Sequence, residues 1–326
     1  MFLLLSLFLL LFFYLNLAAG TRFFSPGKLL SLLSRQNNGD SAVSILFKIR
    51  LPRALMALLL GGALAVSGFL LQTYFANPIA GPFVLGVSSG ARLAVALCMM
   101  LFLAHNRALS SFAMVLAAFL GSLVSLGFLL AVSRRVRQMA GLLVAGIMIG
   151  YICSAATDFM LSFAADSEIV SLHSWSQGSF SGMSLAQVRT AAVIIGISAL
   201  ALLFLAKPLA AVQLGESYAE SLGVNVLRLR SALIMLASLL AATVTAFAGP
   251  VSFVGVASPF LIQRLLRSNK PLLVLPASFL GGAVFCLASD LIARTAFQPT
   301  ELALSTVTSF FGAPIVLWLL VKRRGK

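Results

Sequence analysis

Apolar runs of about 20 residues follow one another along almost the whole chain, separated by short polar breaks. In order they lie near 1–20, 54–74, 83–104, 111–132, 139–163, 190–206, 231–248, 251–266, 272–292 and 302–321. Each can cross about 30 Å of hydrocarbon. The runs are apolar all round, whereas an outer helix of a soluble bundle keeps a polar face. The pattern predicts an all-α polytopic membrane protein of about ten transmembrane helices, built as one domain over 1–326. Two longer polar segments interrupt the series, Ala164 to Arg189 and Lys207 to Arg230.

The breaks carry local detail. Arg50-Leu-Pro-Arg53 feeds directly into the second run, which stops at Asn77-Pro78 and Gly81-Pro82 before the third begins. This reads as two membrane helices joined by a tight turn, with cations at one entrance. Gly61, Ala65 and Gly68 share one helical face, and Ala277/Gly281 and Ser278/Gly282 repeat the spacing in the ninth run. Small residues let helix backbones approach closely in lipid. Leu214, Tyr218 and Leu222 recur on one side of a short inner segment that closes at Gly223, the residue type favoured just past a helix end. That segment, about 214–223, reads as a helix lying on the membrane or offered to a protein partner. Met1–Ala19 lacks a basic leader and is longer than a usual signal core, so a retained first helix is expected.

Composition agrees. The chain is 60% hydrophobic and 10% charged, with mean hydropathy +1.06, against about 25% charged residues in soluble domains. The net charge of +15 does not indicate nucleic acid, because the cations sit in short clusters between the runs. Arg134/Arg135/Arg137, Lys207/Arg228/Arg230, Arg264/Arg267/Lys270 and the basic tail 322–326 all fall on one side, which is assigned to the cytoplasm. Both termini then lie inside. The outer side still carries Arg22, Lys28, Arg35, Lys48, Arg50, Arg53, Arg107, Arg189 and Arg294, an excess that topology does not explain.

Catalytic signals are sparse. There is no Gly-x-x-x-x-Gly-Lys-[Ser/Thr] phosphate loop and no His-Glu-x-x-His, and the only histidines are His105 and His173. Cys98, Cys153 and Cys286 lie within apolar runs without metal-ligand spacing. Gly86-Val-Ser88-Ser-Gly90 matches an exposed-serine pattern, but a hydrolase would need a histidine beside Ser88, and both histidines fall in outer loops. Asp158, deep in the fifth run, and Arg92, inside the third, are intramembrane charges and so candidates for a polar interior or pathway. Arg92 can instead snorkel to the inner interface. Asp290 and Arg294 are spaced to pair on one helix face.

Several short motifs in one order resemble the permease subunits of FecCD-type (type II) ABC importers for ferric siderophores, haem and cobalamin. They are Arg50-Leu-Pro-Arg53, Asn77-Pro78 through Gly81-Pro82, Leu85–Gly90, Leu214-Gly215-Glu216 with Leu222-Gly223, and Ala248-Gly249-Pro250 with Phe253-Val254-Gly255. Leu275-Pro276-Ala277, Asp290 with Ala293-Arg294, Glu301-Leu302 and Gly312-Ala313-Pro314 complete the set. The chain departs from the family at Phe260, Gly81 and Arg92. The resemblance implies ten spans, a pore made with a second permease subunit (identical or a paralogue), two cytoplasmic ATPases, and an extracytoplasmic substrate-binding protein. No cofactor is implied on this chain, since ATP and magnesium belong to the ATPase. Arg50, Arg53 and Arg294 match the family's docking positions for the binding protein. Leu214, Gly215, Glu216, Ala219, Leu222 and Gly223 match its ATPase-coupling helix. Leu172–Gly182 resembles the outer helix and loop beside the pore mouth. The implied cargo is a ferric siderophore, with haem or cobalamin as alternatives. A reading from another class is an ion-coupled transporter built around Asp158.

Overall fold

The structure, a computed structural model, describes residues 1–20, 23–34, 41–103, 111–133, 135, 136 and 139–323. Arg22, Arg35, His105, Arg107, Arg134, Arg137 and the tail beyond Arg323 lie outside the described residues. Among the described residues every regular element is helical: α1 (Phe2–Ala18), α2 (Pro26–Ser34), α3 (Ser41–Ile45), α4 (Leu51–Tyr74), α5 (Val87–Leu103), α6 (Ser111–Ser133) and α7 (Met139–Leu161). The second half adds α8 (Asp166–Ser176), α9 (Leu185–Gln213), α10 (Glu216–Ser221), α11 (Val226–Ala248), α12 (Val254–Leu266), α13 (Pro271–Thr295) and α14 (Leu304–Arg323).

Ten of these match the ten apolar runs, but they are not ten equal spans. Six helical stretches are long and apolar enough to cross a membrane, and α1, α5, α12 and α14 hold shorter apolar stretches. The second stretch is longer than the hydropathy suggests. Helical structure runs without a break from Ser41 to Tyr74, through a π-helical turn at Leu46–Arg50 that leads into Pro52. A wide turn suits that place, because proline has no N–H to give to an i−4 carbonyl. The eighth run is the opposite case. α12 has 13 residues, about 20 Å, too short to cross alone. The backbone ahead of it, Gly249–Val251, is buried and non-helical. Such backbone is tolerated at depth only when protein satisfies it. Here Ser179 N donates to Ala248 O at 2.8 Å and Ser305 Oγ donates to Pro250 O at 2.6 Å.

The core forms around α4, whose apolar window is 83% buried, and α11; α7, at 22%, is the most exposed span. α4 packs on α13, α11 and α12. The small-residue faces predicted from sequence lie at these crossings. A Cβ on Gly61 would stand 2.6 Å from Gly282 O, and one on Gly68 would stand 1.5 Å from Gly255 O. No side chain fits between the backbones there, so these glycines set the interhelical distance. The turn after α4 is fixed from the side by buried Gln72, whose amide donates to Pro78 O (2.8 Å) and Val256 O (3.0 Å). The Gln263 amide donates in turn to Gln72 Oε1 at 3.1 Å.

Candidate functional site

Two regions at opposite ends of the bundle gather most of the charges that the described chain holds close together. At one end, the N-terminal end of α4 meets the C-terminal ends of α1 and α13. The Arg53 guanidinium lies between two carboxylates. Its Nε donates to Asp290 at 3.0 and 3.1 Å, and its terminal nitrogens donate to Glu301 at 3.0–3.1 Å. Arg294 sits one helical turn beyond Asp290, with Nε 3.8 Å from Oδ2, the i,i+4 pairing expected from their spacing. Its Nη2 donates to the main-chain oxygen of Asn16 (2.5 Å) and to Asn16 Oδ1 (3.1 Å). Arg50 donates to Leu17 O and Ala18 O at 2.7 and 2.9 Å, and its guanidinium lies 4.3 Å over the Phe24 ring.

The three arginines therefore do meet, but not as cations standing free at a face. All three are buried, at 5–8% exposure. Two of them cap the carbonyl end of α1, where the helix dipole is negative. The third cross-links α4, α13 and the loop before α14. Asn16 completes the clasp: its amide donates to Leu287 O (2.9 Å) on α13. Sequence reasoning missed Asn16 and assigned Glu301 no partner. A lone asparagine in an apolar helix was the available signal for the first.

At the other end lies α10, between α9 and α11. Gly215 (φ +132°) opens it, and Gly223 (φ +80°) closes it, donating to Glu220 O at 2.9 Å. Ala219 is fully buried, while Leu214, Tyr218 and Leu222 stand half to three-quarters exposed. Glu216 is held by an ion pair to Arg230 of α11. The helix is shorter than the 214–223 segment, which includes its glycine-ended flanks. It presents an apolar ridge away from the bundle and anchors itself through one small residue.

The remaining candidates do not join either region. Asp158 is not deep in its span. α7 ends at Leu161, so the carboxylate lies within the last turn, and the side chain is exposed, on the same α7 surface as Tyr151, Ile152 and Phe159. Arg92 lies in the second turn of α5, half-buried, with Nε enclosed and unbonded. Ser88 is buried, its Oγ 3.3 Å from Thr245 Oγ1, and His173 of α8 pairs with Gln177 just past the end of that helix. The Leu172–Gly182 segment packs where α11 ends and α14 starts. Gly178 and Gly249, both at positive φ, bring its backbone against the buried turn, and Ser305 N donates to Gln177 O at 3.1 Å. An open groove beside it is lined by Gln177, Ser305, Thr306, Ser309 and Phe310.

A bundle of long apolar helices with close backbone crossings, a charged clasp at one end and a short apolar-ridged helix at the other is the architecture of a multi-pass membrane protein. Residues 8–322 match the FecCD transport family, and the chain belongs to it. The chain is 35% identical over 289 residues to the hemin transport system permease protein HmuU of Yersinia pestis, covering 88% of this chain and 86% of that one. It is 33% identical over 322 residues to the vitamin B12 import system permease protein BtuC of Klebsiella pneumoniae, covering 99% and 93%. A solved structure, described as an inward-facing conformation of a metal-chelate type ABC transporter, superposes with TM-score 0.86 at 27% identity over 98% of this chain and 97% of that one. The chain is thus a permease subunit of an ABC importer in the inner membrane, working with a partner permease and with ATP hydrolysis on a separate chain.

Proposed function

We propose that this permease conducts a bulky metal chelate inward, received from a substrate-binding protein at the Arg50/Arg53/Arg294 end and driven by ATPases seated on α10. Both termini lie on the cytoplasmic side in this reading, consistent with the distribution of Arg228, Arg230, Arg264, Arg267 and Lys270. The observation that carries the proposal is the whole-length superposition on a metal-chelate type transporter. The relatives' names add haem and vitamin B12 to the ferric siderophore as cargoes of the same chemical kind.

The coupling assignment draws its support from the shape of α10. Leu214, Tyr218 and Leu222 form a compact knob that a cleft in another protein can grip, and Ala219 seats the helix on the bundle. A push on that knob reaches α9 and α11 directly. Asp158 lies in the last turn of α7 on a surface exposed in the single chain, a position that does not favour an ion-driven reading. The experiment is accumulation of labelled ferric siderophore, haem and cobalamin by cells or proteoliposomes carrying the complete transporter. Uptake of at least one chelate, abolished by vanadate and indifferent to ionophores, is the expected result. Uptake that survives vanadate and collapses with the ion gradient would overturn the proposal.

A further inference from the structure

The two carboxylates on Arg53 are not equivalent, and the difference has a use. Asp290 is enclosed, with 1% of its side chain exposed, and lies on a rigid helix whose next turn carries Arg294. Glu301 is 48% exposed and lies at the end of an exposed lip, Ala296–Glu301, between α13 and α14. The lip is tied back near its base, where Leu302 N donates to Ala293 O at 2.8 Å. The Arg53 guanidinium thus has one edge fixed from inside and one edge closed only by a surface carboxylate. Around this fork Arg53 and Arg294 face Asp290 and Glu301, so one positive charge is uncovered if Glu301 swings away.

We propose that Glu301 is a displaceable internal stand-in for a partner carboxylate. In the undocked permease it closes the open edge of Arg53; on docking, an acidic side chain of the binding protein takes its place while Asp290 keeps the guanidinium oriented. This rests on the docking reading above. The exchange is feasible because it swaps one carboxylate for another on the same planar fork, and the Glu301 carboxylate, half open to water, loses little when it turns to solvent. Asp290 supplies the preorganisation: the arginine is held in the geometry that accepts a carboxylate before the partner arrives. Phe297 and Thr300, both exposed on the lip that ends at Glu301, are the residues the docked partner covers. The partner that fits is an acidic protein surface, and association with it should weaken as salt is raised.

The test uses the complete transporter in nanodiscs and, as probe, the fluorescently labelled binding protein that supports its uptake. Two variants separate the questions. Thr300→Cys, in a background whose Cys98, Cys153 and Cys286 are alanine, reports whether a partner covers the lip. Protection from a bulky maleimide by saturating binding protein is expected, and continued labelling would remove the docking reading and this proposal together. Glu301→Gln keeps the shape and removes the competing charge. It should tighten docking about threefold to fivefold at low salt, with the gain shrinking as salt rises, while the melting temperature stays near wild type. If the lip is protected but Glu301→Gln leaves affinity unchanged or weakens it, the docking reading stands and the exchange is wrong.

Discussion

Replacing Arg53 by methionine tests whether the clasp is held mainly from inside. The substitution keeps an apolar stem of similar length and deletes the guanidinium. Asp290, with 1% of its side chain exposed, then loses its principal partner and keeps only Arg294 Nε at 3.8 Å. Stranding one member of a buried pair costs about 3–5 kcal/mol. Losing the Glu301 arm adds little, since that carboxylate is 48% exposed and can turn to water. For a chain of this size about 2 °C accompanies each kcal/mol, so Arg53→Met should melt about 6–10 °C below wild type. Glu301→Gln, which removes only the exposed arm, should shift melting by less than about 2 °C. The decisive sample is Arg53→Met combined with Asp290→Leu. With both charges gone no buried carboxylate is stranded, and Arg294, which loses its 3.8 Å partner, keeps its bonds to Asn16 O and Oδ1, so the pair should melt above the single variant even though it carries one more change. The assay is intrinsic fluorescence of purified protein in one detergent, where Trp175 and Trp318 report unfolding. A double variant no more stable than Arg53→Met, or a Glu301→Gln as damaging as Arg53→Met, would refute the reasoning.

Three further outcomes follow from the same structure. Gly68→Ala puts a Cβ 1.5 Å from Gly255 O, so α4 and α12 must part by about 2 Å and the Gln72 bonds to Val256 and Pro78 are strained. It should cost about 3 kcal/mol and lower the folded yield on size-exclusion chromatography, whereas Gly127→Ala, where nothing lies within 4 Å, should be neutral or slightly stabilising. Gly223→Pro cannot adopt φ +80° and loses the N–H that bonds Glu220, so the end of α10 is rebuilt. ATP hydrolysis should persist while chelate uptake falls at least about tenfold; normal uptake would detach α10 from coupling. Ser88→Ala removes only a hydroxyl contact to Thr245 and should leave transport within about twofold of wild type, measured as initial uptake rate.

The ten apolar runs, the glycine faces on α4 and α13, the helix that ends at Gly223 and the Asp290–Arg294 pairing are all legible in the order of residues. Each depends on neighbours within a few turns of one segment: hydropathy over about 20 positions, small residues at helical spacing, a glycine where a helix must stop. What the folded chain alone decides is which distant groups satisfy one another. The charges of Arg50-Leu-Pro-Arg53 read as a helix boundary, yet the helix runs through them, because Asp290, Glu301 and the carbonyls of α1 neutralise them from elsewhere in the chain. Gln72, to which the sequence pattern assigns no role, holds the loop to α12. Asp158 reads as deep in its span and instead lies in the last turn of α7, on a surface this single chain leaves exposed. A buried charge or amide is stable only beside its counterpart. That counterpart is chosen by helix packing, which no local window of sequence contains.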